Sequence, residues 1–594
     1  VRRLTHRLDL ATGRDVDRPA RQQSLRTAIA WSYDLLGLQE RRLFRLLGTF
    51  AGPCSLEAIE AVAGSPGLLE TLDELVAQSL VRRLEGDDGE SSFEMLVTIR
   101  EFAVEELRAN GEAAPADEQF CAYYLALAEE SVAGLRGPLQ ISWANRLATE
   151  TPNLVKTMNR LLEGKPEPAL RLIAALGSYW IYRSQLSVGR EWSERAFPFA
   201  DAAPLAAARV RFNAAVIARD QGDVDLAQRY LETSLRQFQT HSSARGVALC
   251  LNFLGLLALQ KGDYTLARQR VMASRAIHER INSQWGIGWT YLSLGTIFEQ
   301  QRRLPRARAL FDRARAILDD IGDVRGVAAA LSGLGNVQRL LGEFDGCRAN
   351  LERALELQRQ SRHLSGAEVT LLALSGVAHH ERQFGEAHEY IDEAIRIATR
   401  IGDLRNLPTA HAFRIVVLKS EGRFAEARRL AEQILAMYRE RGDVPWMALL
   451  HATIADLADR AGAADAADYF RQSLQWLSVV NDRWIGARTI ALIGLSAARH
   501  GRLADALRAL GAAQATYPAI RTNFDYSNYT EWETVESQAC EQLGLLGATV
   551  VFDDGKAMDF GQAVAFARSL LAGATLPSAP SVRDNPYSSG TRLG

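Results

Sequence analysis

The chain has 594 residues, of which 47% are hydrophobic and 24% are charged, and its formal net charge is −2. These values are ordinary for a globular protein with room for several domains, and the near-neutral charge argues against a chain that coats nucleic acid. We expect no membrane segment, because no apolar run approaches the roughly 18 residues that a span requires and no charged-then-apolar leader opens the sequence. The five cysteines are scattered without a Cys-x-x-Cys pair, which favours a cytoplasmic protein without disulfides or structural zinc.

Residues 1–20 show no clear periodicity, and we interpret them as the tail of a missing upstream domain. Residues 21–111 predict a winged-helix domain. The pattern is a series of short helices, of which the third can be capped by Ser55, and then two β-prone segments on either side of a Gly/Asp turn at 86–89. A last helix is predicted over residues 98–108.

Three short motifs in this domain resemble a known family of regulators. They are Trp31-Ser32-Tyr33-Asp34-Leu35-Leu36, Phe50-Ala51-Gly52 and Thr98-Ile99-Arg100-Glu101-Phe102-Ala103. Together they are similar to the winged helix of STAND-class regulators, the signal-transduction ATPases with numerous domains. The resemblance implies a nucleotide-binding domain before the winged helix and a repeat sensor after it. Many members carry Met-His-Asp where this chain has Met95-Leu96-Val97, so Leu96 replaces the histidine that contacts nucleotide in that family.

Residues 112–204 predict a helical linker that ends in a degenerate first repeat. An amphipathic helix around Tyr123 is broken at Pro138, and Trp180 and Trp192 mark the degenerate repeat. Terminal repeats of an array are commonly atypical, because one of their faces lacks a neighbour.

Residues 205–515 contain a pattern with a period of 40 residues, and each unit is predicted to be a helix, a tight turn and a second helix. The turns fall at Gly222, Gly262, Arg302, Gly342, Arg382, Gly422, Gly462 and, one residue early, Gly501. Five residues after each turn comes a small side chain, at Ala227, Ala267, Ala307, Cys347, Ala387, Ala427, Ala467 and Ala506. We expect these small residues to mark a close crossing of the two helices, since a large side chain would force their axes apart.

Further glycines on the first helix, such as Gly255 and Gly295, are expected to serve the same close approach. Leu334-Gly335-Asn336, with Phe344 and Cys347, resembles the tetratricopeptide repeat (TPR), whose usual period is 34 residues. The longer period implies longer helices, as in a MalT-like array. The predicted fold is therefore mainly α, with a winged-helix domain followed by an α-solenoid, a TPR superhelix of about 40 residues per repeat.

The period is lost after Ala506. Residues 516–573 are predicted to form a C-terminal helical cap, with an aromatic-rich loop at 523–529 and a helix over 532–545. The proline and serine content of residues 574–594 predicts a disordered tail.

Motifs for catalysis and cofactor binding are absent from the sequence. No Gly-x-x-x-x-Gly-Lys-Ser/Thr loop is present to hold nucleotide phosphates, and no serine or cysteine nucleophile signature is found. His379 and His380 are adjacent, so on a helix they point about 100° apart and cannot chelate one metal ion. We therefore predict no catalytic residue, no metal site, no cofactor and no enzyme activity.

The winged helix leaves open a second function, which is DNA-binding transcription regulation. Its fourth predicted helix, over residues 68–78, carries Glu70, Asp73 and Glu74 and no basic residue. Such a helix is repelled by the phosphates that supply most of the affinity for DNA. Specific DNA binding is therefore not expected, and the domain is predicted to act within the protein.

A ladder of polar side chains on the first helices predicts a partner-binding groove. Equivalent positions lie above one another in a repeat array, and Arg339, His379 and Lys419 occupy three consecutive units, beside Glu299 and Asn336. In TPR arrays this face lines a concave groove, and its positive or titratable stretch favours an acidic peptide or an anionic ligand. The alternative is an ordinary solvated helix face.

These features together predict the regulatory sensor and protein-interaction half of a STAND-type bacterial signalling or transcription regulator. The expected partner is a protein or small ligand in the TPR groove. A nucleotide-binding domain is a further partner if the full-length protein has one, and no membrane partner is expected.

Overall fold

The computed structural model describes residues 25–85, 91–403, 406–441, 444–480, 482–518, 520–521 and 526–571. The predicted tails at 1–20 and 574–594 and the predicted hairpin turn lie outside these ranges. The chain separates into two compact units, Val1–Thr370 with Ile397–Leu404, and Leu371–Arg396 with Arg405–Gly594. No helix in the described ranges has both the length and the apolarity that a membrane crossing requires.

The first unit opens with a winged helix, as predicted. Its helices are α1 (Leu25–Asp34), α2 (Leu38–Leu47), α3 (Leu56–Ala63), α4 (Leu69–Ala77) and α5 (Val97–Ala109), and its strands are β1 (Cys54–Ser55), β2 (Arg82–Glu85) and β3 (Ser91–Glu94). The predicted cap on α3 is confirmed, because the Ser55 hydroxyl accepts a hydrogen bond from the Ala58 amide over 3.1 Å.

The three strands form one antiparallel sheet in the order β1-β3-β2. Cys54 lies opposite Phe93, and Arg82 lies opposite Glu94. The hairpin of β2 and β3 was predicted, whereas β1 was not, because a two-residue strand is too short to show a period of two. Phe44, Leu72 and Phe93 are fully buried where α2, α4 and the sheet meet.

Five helices and a short 3-10 turn connect the winged helix to the array. They are α6 (Ala113–Gly134), α7 (Gln140–Thr149), α8 (Thr151–Gly164), α9 (Pro166–Tyr182), α10 (Leu186–Ala196) and the turn Phe197–Ala202. Helix α9 is the centre of this segment. It packs against α6, α8, α10 and α11, and most of its side chains are buried.

Antiparallel helix pairs then repeat along the chain. The pairs before the fifth repeat lie in the first unit: α11 (Pro204–Asp220) with α12 (Val224–Thr240), α13 (Ala244–Gln260) with α14 (Tyr264–Arg280), α15 (Gln284–Gln300) with α16 (Leu304–Asp320), and α17 (Val324–Leu341) with α18 (Phe344–Gln360). The fifth pair, α19 (Leu364–His380) and α20 (Phe384–Ile401), is divided between the units.

The second unit holds the later pairs and the cap. The pairs are α21 (Leu407–Ser420) with α22 (Phe424–Arg441), α23 (Val444–Arg460) with α24 (Ala466–Val480), and α25 (Arg483–Arg499) with α26 (Leu503–Thr516). The cap is α27 (Tyr526–Lys556), interrupted by non-helical backbone at Gly544, and α28 (Phe560–Leu570). The predicted loop at 523–529 is wrong from Tyr526 onward, because α27 begins there and buries Asn528 and Trp532.

A left-handed residue stands at each turn inside a helix pair. The φ angle is +88° at Gly222 and +80° at Gly262, and two arginines, Arg302 and Arg382, adopt the same conformation with φ of +58° and +62°. In this geometry the turn amides close the first helix: the Gly222 amide donates to the Arg219 carbonyl over 3.0 Å. The predicted tight turns are therefore confirmed, and glycine is favoured there because it has no Cβ to strain.

The small residue after the turn lies in a close helix contact at every predicted position except one. Ala227, Ala267, Ala307, Cys347, Ala387, Ala427 and Ala506 are completely buried. A Cβ placed on Gly255 would come within 2.6 Å of Val271, and one on Gly295 within 2.6 Å of Phe311, so these glycines face the second helix of their own units. The prediction fails at Ala467, which is half-buried, because α24 begins later in its unit and Ala466 takes the buried place.

Replacing Ala307 with arginine should destabilise the array far more than replacing Cys347 with alanine. Both side chains are completely buried. The arginine overfills a close helix contact and buries an unpaired charge, which should cost about 3 kcal/mol or more. The alanine leaves only a small void and should cost about 1 kcal/mol. Urea unfolding of both variants measures the difference, and equal midpoints would show that the small residues do not mark a packed contact.

Candidate functional site

The predicted ladder of Glu299, Asn336, Arg339, His379 and Lys419 falls in two different units of the structure. Glu299, Asn336 and Arg339 belong to the first unit, and His379 and Lys419 to the second. All five lie on the first helix of their repeat, as the period predicts. Their surroundings differ, and this difference decides what each side chain can do.

In the first unit, Glu299 on α15 and Arg339 on α17 interact electrostatically without forming a close ion pair. Both side chains are half-buried, as is Asn336. Burial raises the pKa of the Glu299 carboxyl to about 7, although Arg339 and Arg302 act in the opposite direction. The Arg339 Nε atom has no hydrogen-bond partner among the described residues. Glu299 and Arg339 thus differ from the later ladder residue Lys419 in having no close ion pair among the described residues.

His379 is half-buried at the end of α19. Its Nε2 atom lies 2.8 Å from the Ser420 hydroxyl, and its ring lies 5.9 Å from the ring of Phe384. The histidine is therefore held by its own unit, with one ring nitrogen engaged. Adjacent His380 is exposed.

Lys419 contradicts the prediction of a groove-facing cation. Its side chain is buried, and its Nζ atom lies 3.7 Å from the buried Asp456 carboxylate. Arg460 and Arg499 also contact Asp456, at 3.1 Å and 2.9 Å. These three cations lower the pKa of Asp456 to about 2 against the opposing effect of burial. Lys419 is thus part of an internal ion-pair network.

The C-terminal cap covers this network. Glu531 on α27 pairs with Arg460 and with Arg499, the latter over 2.7 Å, and Asn528 accepts a hydrogen bond from Arg460 over 2.9 Å. Arg460 on α23 and Arg499 on α25 are therefore engaged by the chain's own cap helix. A sequence period aligns these positions but carries no signal for a distant helix that covers them.

A second polar cluster, which the sequence did not predict, joins the linker to the array in the first unit. Gln140 at the start of α7 donates to Asp323 Oδ1 over 2.7 Å and accepts from the Arg325 amide over 3.2 Å. Trp289 Nε1 donates to Asp323 Oδ2 over 3.1 Å. Gln140 and Asp323 are each 1% exposed. We call these four residues the linker–array junction.

The sequence contained half of this junction. Asp323 follows the left-handed Gly322 and caps α17 by accepting from the Gly326 amide over 2.8 Å. That capping role accounts for an aspartate directly after Gly322, whereas Gln140 lies far away in the chain and carries no local signal. A Cβ placed on Gly322 would come within 2.8 Å of Pro138, so the connection before α7 lies directly against this turn.

A matching cluster joins the linker to the winged helix. The Asn153 side chain on α8 accepts from the amides of Ala51 and Gly52, over 2.7 and 3.3 Å, and donates to the Pro53 carbonyl over 2.8 Å. Glu150, also buried, accepts from the Ser55 amide over 3.1 Å. The Phe50-Ala51-Gly52 motif is therefore the backbone segment that α8 holds. We call Glu150, Asn153 and residues 51–55 the linker–wing junction.

The helix that follows α3 in the winged helix presents an acidic face. Leu72 and Leu75 on α4 are buried in the core. Glu70, Asp73 and Glu74 are exposed on the other side of the helix. A hydrogen bond shared with Glu40 raises the pKa of Glu74. Leu96, at the position where the resembled family carries histidine, is 40% exposed. Among the described residues, no group of His, Cys, Asp and Glu could hold a metal ion.

Comparisons with protein-family models identify both modules. Residues 36–108 match a winged helix-turn-helix domain, and residues 212–274 and 247–320 match tetratricopeptide repeats. The predicted combination of a winged helix with a TPR α-solenoid is thus confirmed.

Curated relatives share shorter stretches with this chain. An HTH-type transcriptional regulator of Mycobacterium tuberculosis is 36% identical over 183 residues, which cover 29% of this chain and 20% of the relative. An uncharacterized protein of the same species is 32% identical over 116 residues, covering 18% of this chain and 29% of that protein. The chain therefore spans less than a third of the length of either relative.

Solved structures give more distant likenesses. A STAND protein with a tetratricopeptide repeat sensor from Pyrococcus horikoshii is 15% identical, with a TM-score of 0.45 over 77% of this chain and 66% of that chain. A Rap protein in complex with competence and sporulation factor is 12% identical, with a TM-score of 0.39 over 58% of this chain and 99% of that chain. Scores at this level decide nothing about function.

The raised pKa of Glu299 should make its contribution to stability depend on pH. Its native pKa of about 7 lies above the ordinary value of 4.5, so the native state holds this proton over a range where the unfolded chain has lost it. Stability is then lost as pH rises through that window. Relative to wild type, Glu299→Gln should gain stability between pH 5 and pH 8, as measured by urea unfolding.

The control for this experiment is Gln300→Ala, which changes an exposed neighbour and removes no titratable group. The difference between this control and wild type should stay constant with pH. A constant difference for Glu299→Gln as well would show that burial does not perturb this carboxyl.

The acidic face of α4 should prevent specific DNA binding. Three exposed carboxylates oppose the phosphate contacts on which affinity depends. In gel-shift assays at physiological salt, the protein should not retain a duplex against unlabelled competitor. The charge-reversed triple variant Glu70→Lys, Asp73→Lys and Glu74→Lys should gain weak, salt-sensitive binding. A competitor-resistant shift by the wild type that the triple variant loses would instead establish a DNA-reading winged helix.

Proposed function

We propose that this chain is the sensor and protein-interaction part of a STAND-type regulator. In this proposal the TPR array binds a protein or ligand, and the linker transmits the bound state to the winged helix. The chain acts without catalysis of its own, in the cytoplasm, and a nucleotide-binding domain in the same protein receives the signal. The proposal rests on the resemblance at the winged-helix motifs and on the contacts of the linker.

The main support for this proposal is that buried polar contacts hold the linker at both ends of the short segment from Gln140 to Asn153. Gln140 opens α7 and contacts the array, while Glu150, between α7 and α8, and Asn153 on α8 contact the winged helix. Helix α8 begins at Thr151, directly after α7. A shift of the array turn at Asp323 would therefore be passed through two stiff helices to residues 51–55.

Buried polar contacts suit such a relay because they are specific in geometry. A hydrogen bond in a buried site depends on distance and angle, and a buried group left without its partner costs about 1–3 kcal/mol. The two junctions therefore favour one arrangement of the linker and penalise others. An apolar contact of the same area would tolerate sliding.

In this proposal each unit offers its own candidate contacts for a partner. Glu299, Asn336 and Arg339 in the first unit, and His379 in the second, stay candidate contacts for a partner. Lys419 is withdrawn, because its charge is used inside the protein. The relatives named as HTH-type transcriptional regulators support a regulatory role, and the short matched length keeps that role a proposal.

A matched pair of glycine variants tests the relay. Gly322 and Gly262 both have left-handed backbone, but a Cβ would meet Pro138 at Gly322 and nothing within 4 Å at Gly262. Both alanine variants should lose about 1 kcal/mol from backbone strain. Only Gly322→Ala should also displace the α6–α7 connection, so deuterium uptake should rise over residues 140–149 and at residues 51–55.

Hydrogen–deuterium exchange of the full chain gives both readings in one experiment. One outcome would contradict the relay: uptake over residues 140–149 rises in Gly322→Ala alone, but uptake at residues 51–55 is equal in the two variants. This outcome would show that the linker–array junction does not communicate with the winged helix. The relay would then be wrong even though the contact itself exists.

A further inference from the structure

A cavity of about 600 Å³ lies in the first unit where α6, α9, α11 and α13 approach one another. This volume is in the range of sites that enclose small molecules. Arginines line one part of it, at Arg136, Arg171, Arg209 and Arg245. Apolar side chains line another part, including Leu205, Phe212 and Phe238. The cavity contains none of the ladder residues.

Three of the four arginines have no close ion-pair partner among the described residues. Arg136, Arg209 and Arg245 form no side-chain hydrogen bond or close ion pair with the described residues, although Arg136 stacks on the Trp285 ring at 4.6 Å. Arg171 is different, because it forms two hydrogen bonds with Glu129, over 2.8 and 2.9 Å. Glu129, one of the two glutamates of the lining, is therefore already engaged by Arg171.

The three unpaired guanidinium groups repel one another. Burial, followed by the charges of Arg209 and Arg245, lowers the pKa of Arg136 to about 10. Burial and then Arg245 lower the pKa of Arg209. Neighbouring His278 is buried, and burial together with Arg245 and Arg136 lowers its pKa to about 4, so it stays neutral. The protein thus maintains a concentration of positive charge that its own fold does not neutralise.

The acidic groups that face this cluster do not cancel it. Asp323 acts on Arg136, and Glu129 acts on Arg209, each in the stabilising direction. Asp323 is hydrogen-bonded to Gln140 and Trp289, and Glu129 to Arg171. Glu167 also lines the cavity, near Arg171. Four arginines against two glutamates leave the lining with an excess of positive charge.

We propose that this cavity is a binding site for a small organic anion. An oxyanion head, phosphate or carboxylate, is held by Arg136, Arg209 and Arg245, and a compact apolar body rests against Leu205, Phe212 and Phe238. The planar fork of guanidinium donors matches the oxygens of both head groups. The inference goes beyond the proposed function, which does not need a ligand at this place.

The cavity adjoins the linker without sharing its hydrogen bonds. Arg136 belongs to the connection between α6 and α7, and Gln140 of the linker–array junction follows it in the chain. An anion that draws Arg136 into the cavity therefore acts on the segment that positions Gln140. Binding can be measured whether or not this coupling exists.

The test titrates the full chain by calorimetry with inorganic phosphate, phenyl phosphate and phenylacetate at low salt. The wild type should bind phenyl phosphate or phenylacetate saturably, and more tightly than inorganic phosphate, since only the first two fill the apolar part. The tighter of the two identifies the head group as phosphate or carboxylate. Binding should weaken as salt is added, because screening reduces the attraction.

The cavity variant carries both Arg209→Gln and Arg245→Gln. Its control carries both Arg229→Gln and Arg280→Gln, because Arg229 and Arg280 are exposed and lie outside the cavity. The cavity variant should lose about tenfold or more in affinity, since it removes two guanidinium groups that would form charge-assisted hydrogen bonds with the anion. The control should bind like the wild type. Without ligand, the cavity variant should melt at or above the temperature of the control, because repulsion is relieved.

Three results would overturn the proposal. One is an absence of saturable binding of every probe by the wild type. Another is an equal loss of affinity in the cavity variant and the control. The third is a cavity variant that melts well below the control, since the arginines would then serve the fold rather than a ligand.

Discussion

The array depends on a close crossing of two helices beside a left-handed turn. The turn brings the second helix back close to the first. The two helices can approach so closely because Ala227 and its equivalents have small side chains. Glycines such as Gly255 on the facing helix allow the same approach from the other side. Arg302 and Arg382 show that the backbone conformation is required even where the residue does not favour it. Each pair is therefore a nearly rigid element that can be repeated.

Two carboxyl groups on the first helices of different repeats acquire opposite properties from their surroundings. Burial dominates at Glu299, where two arginines act from a distance and the pKa still rises to about 7. Cations dominate at Asp456, where three basic groups lie within contact distance and the pKa falls to about 2. The balance is set by the number and proximity of opposite charges, because the cost of burial applies to both carboxyls. The first helices of the array thus hold a carboxyl with a pKa near neutral pH in one unit and a carboxylate engaged in an ion-pair network in the other.

The linker uses buried polar groups where the array uses apolar packing. Asn153 satisfies the backbone of residues 51–53 with both of its polar side-chain atoms. Gln140 donates to the Asp323 carboxylate and accepts from the Arg325 amide. Breaking such contacts leaves buried donors and acceptors unpaired, which is costly. The docked position of the linker is therefore well defined. Nearby, Arg136, Arg209 and Arg245 have no such partners, and this contrast distinguishes the cavity from the structural clusters around it.

Local signals in the sequence determined much of this protein. Helix pairs, their turns, the α3 cap at Ser55 and the hairpin of β2 and β3 could be predicted, because each depends on residues within a few positions of one another. The buried small residues were predicted for the same reason, except where α24 starts late and Ala466 replaces Ala467. Glu299, Asn336, Arg339 and His379 were placed on the correct helices, since the period alone fixes that position.

The tertiary structure decided the rest. Lys419 is buried beside Asp456 of the next repeat, and Gln140 meets Asp323 across 183 positions of the chain. The short strand β1 exists because β3 pairs with it, and the arginine cavity exists because α6, α9, α11 and α13 bring distant side chains together. Contacts between residues far apart in the chain follow no period, so they become visible only when the helices are packed.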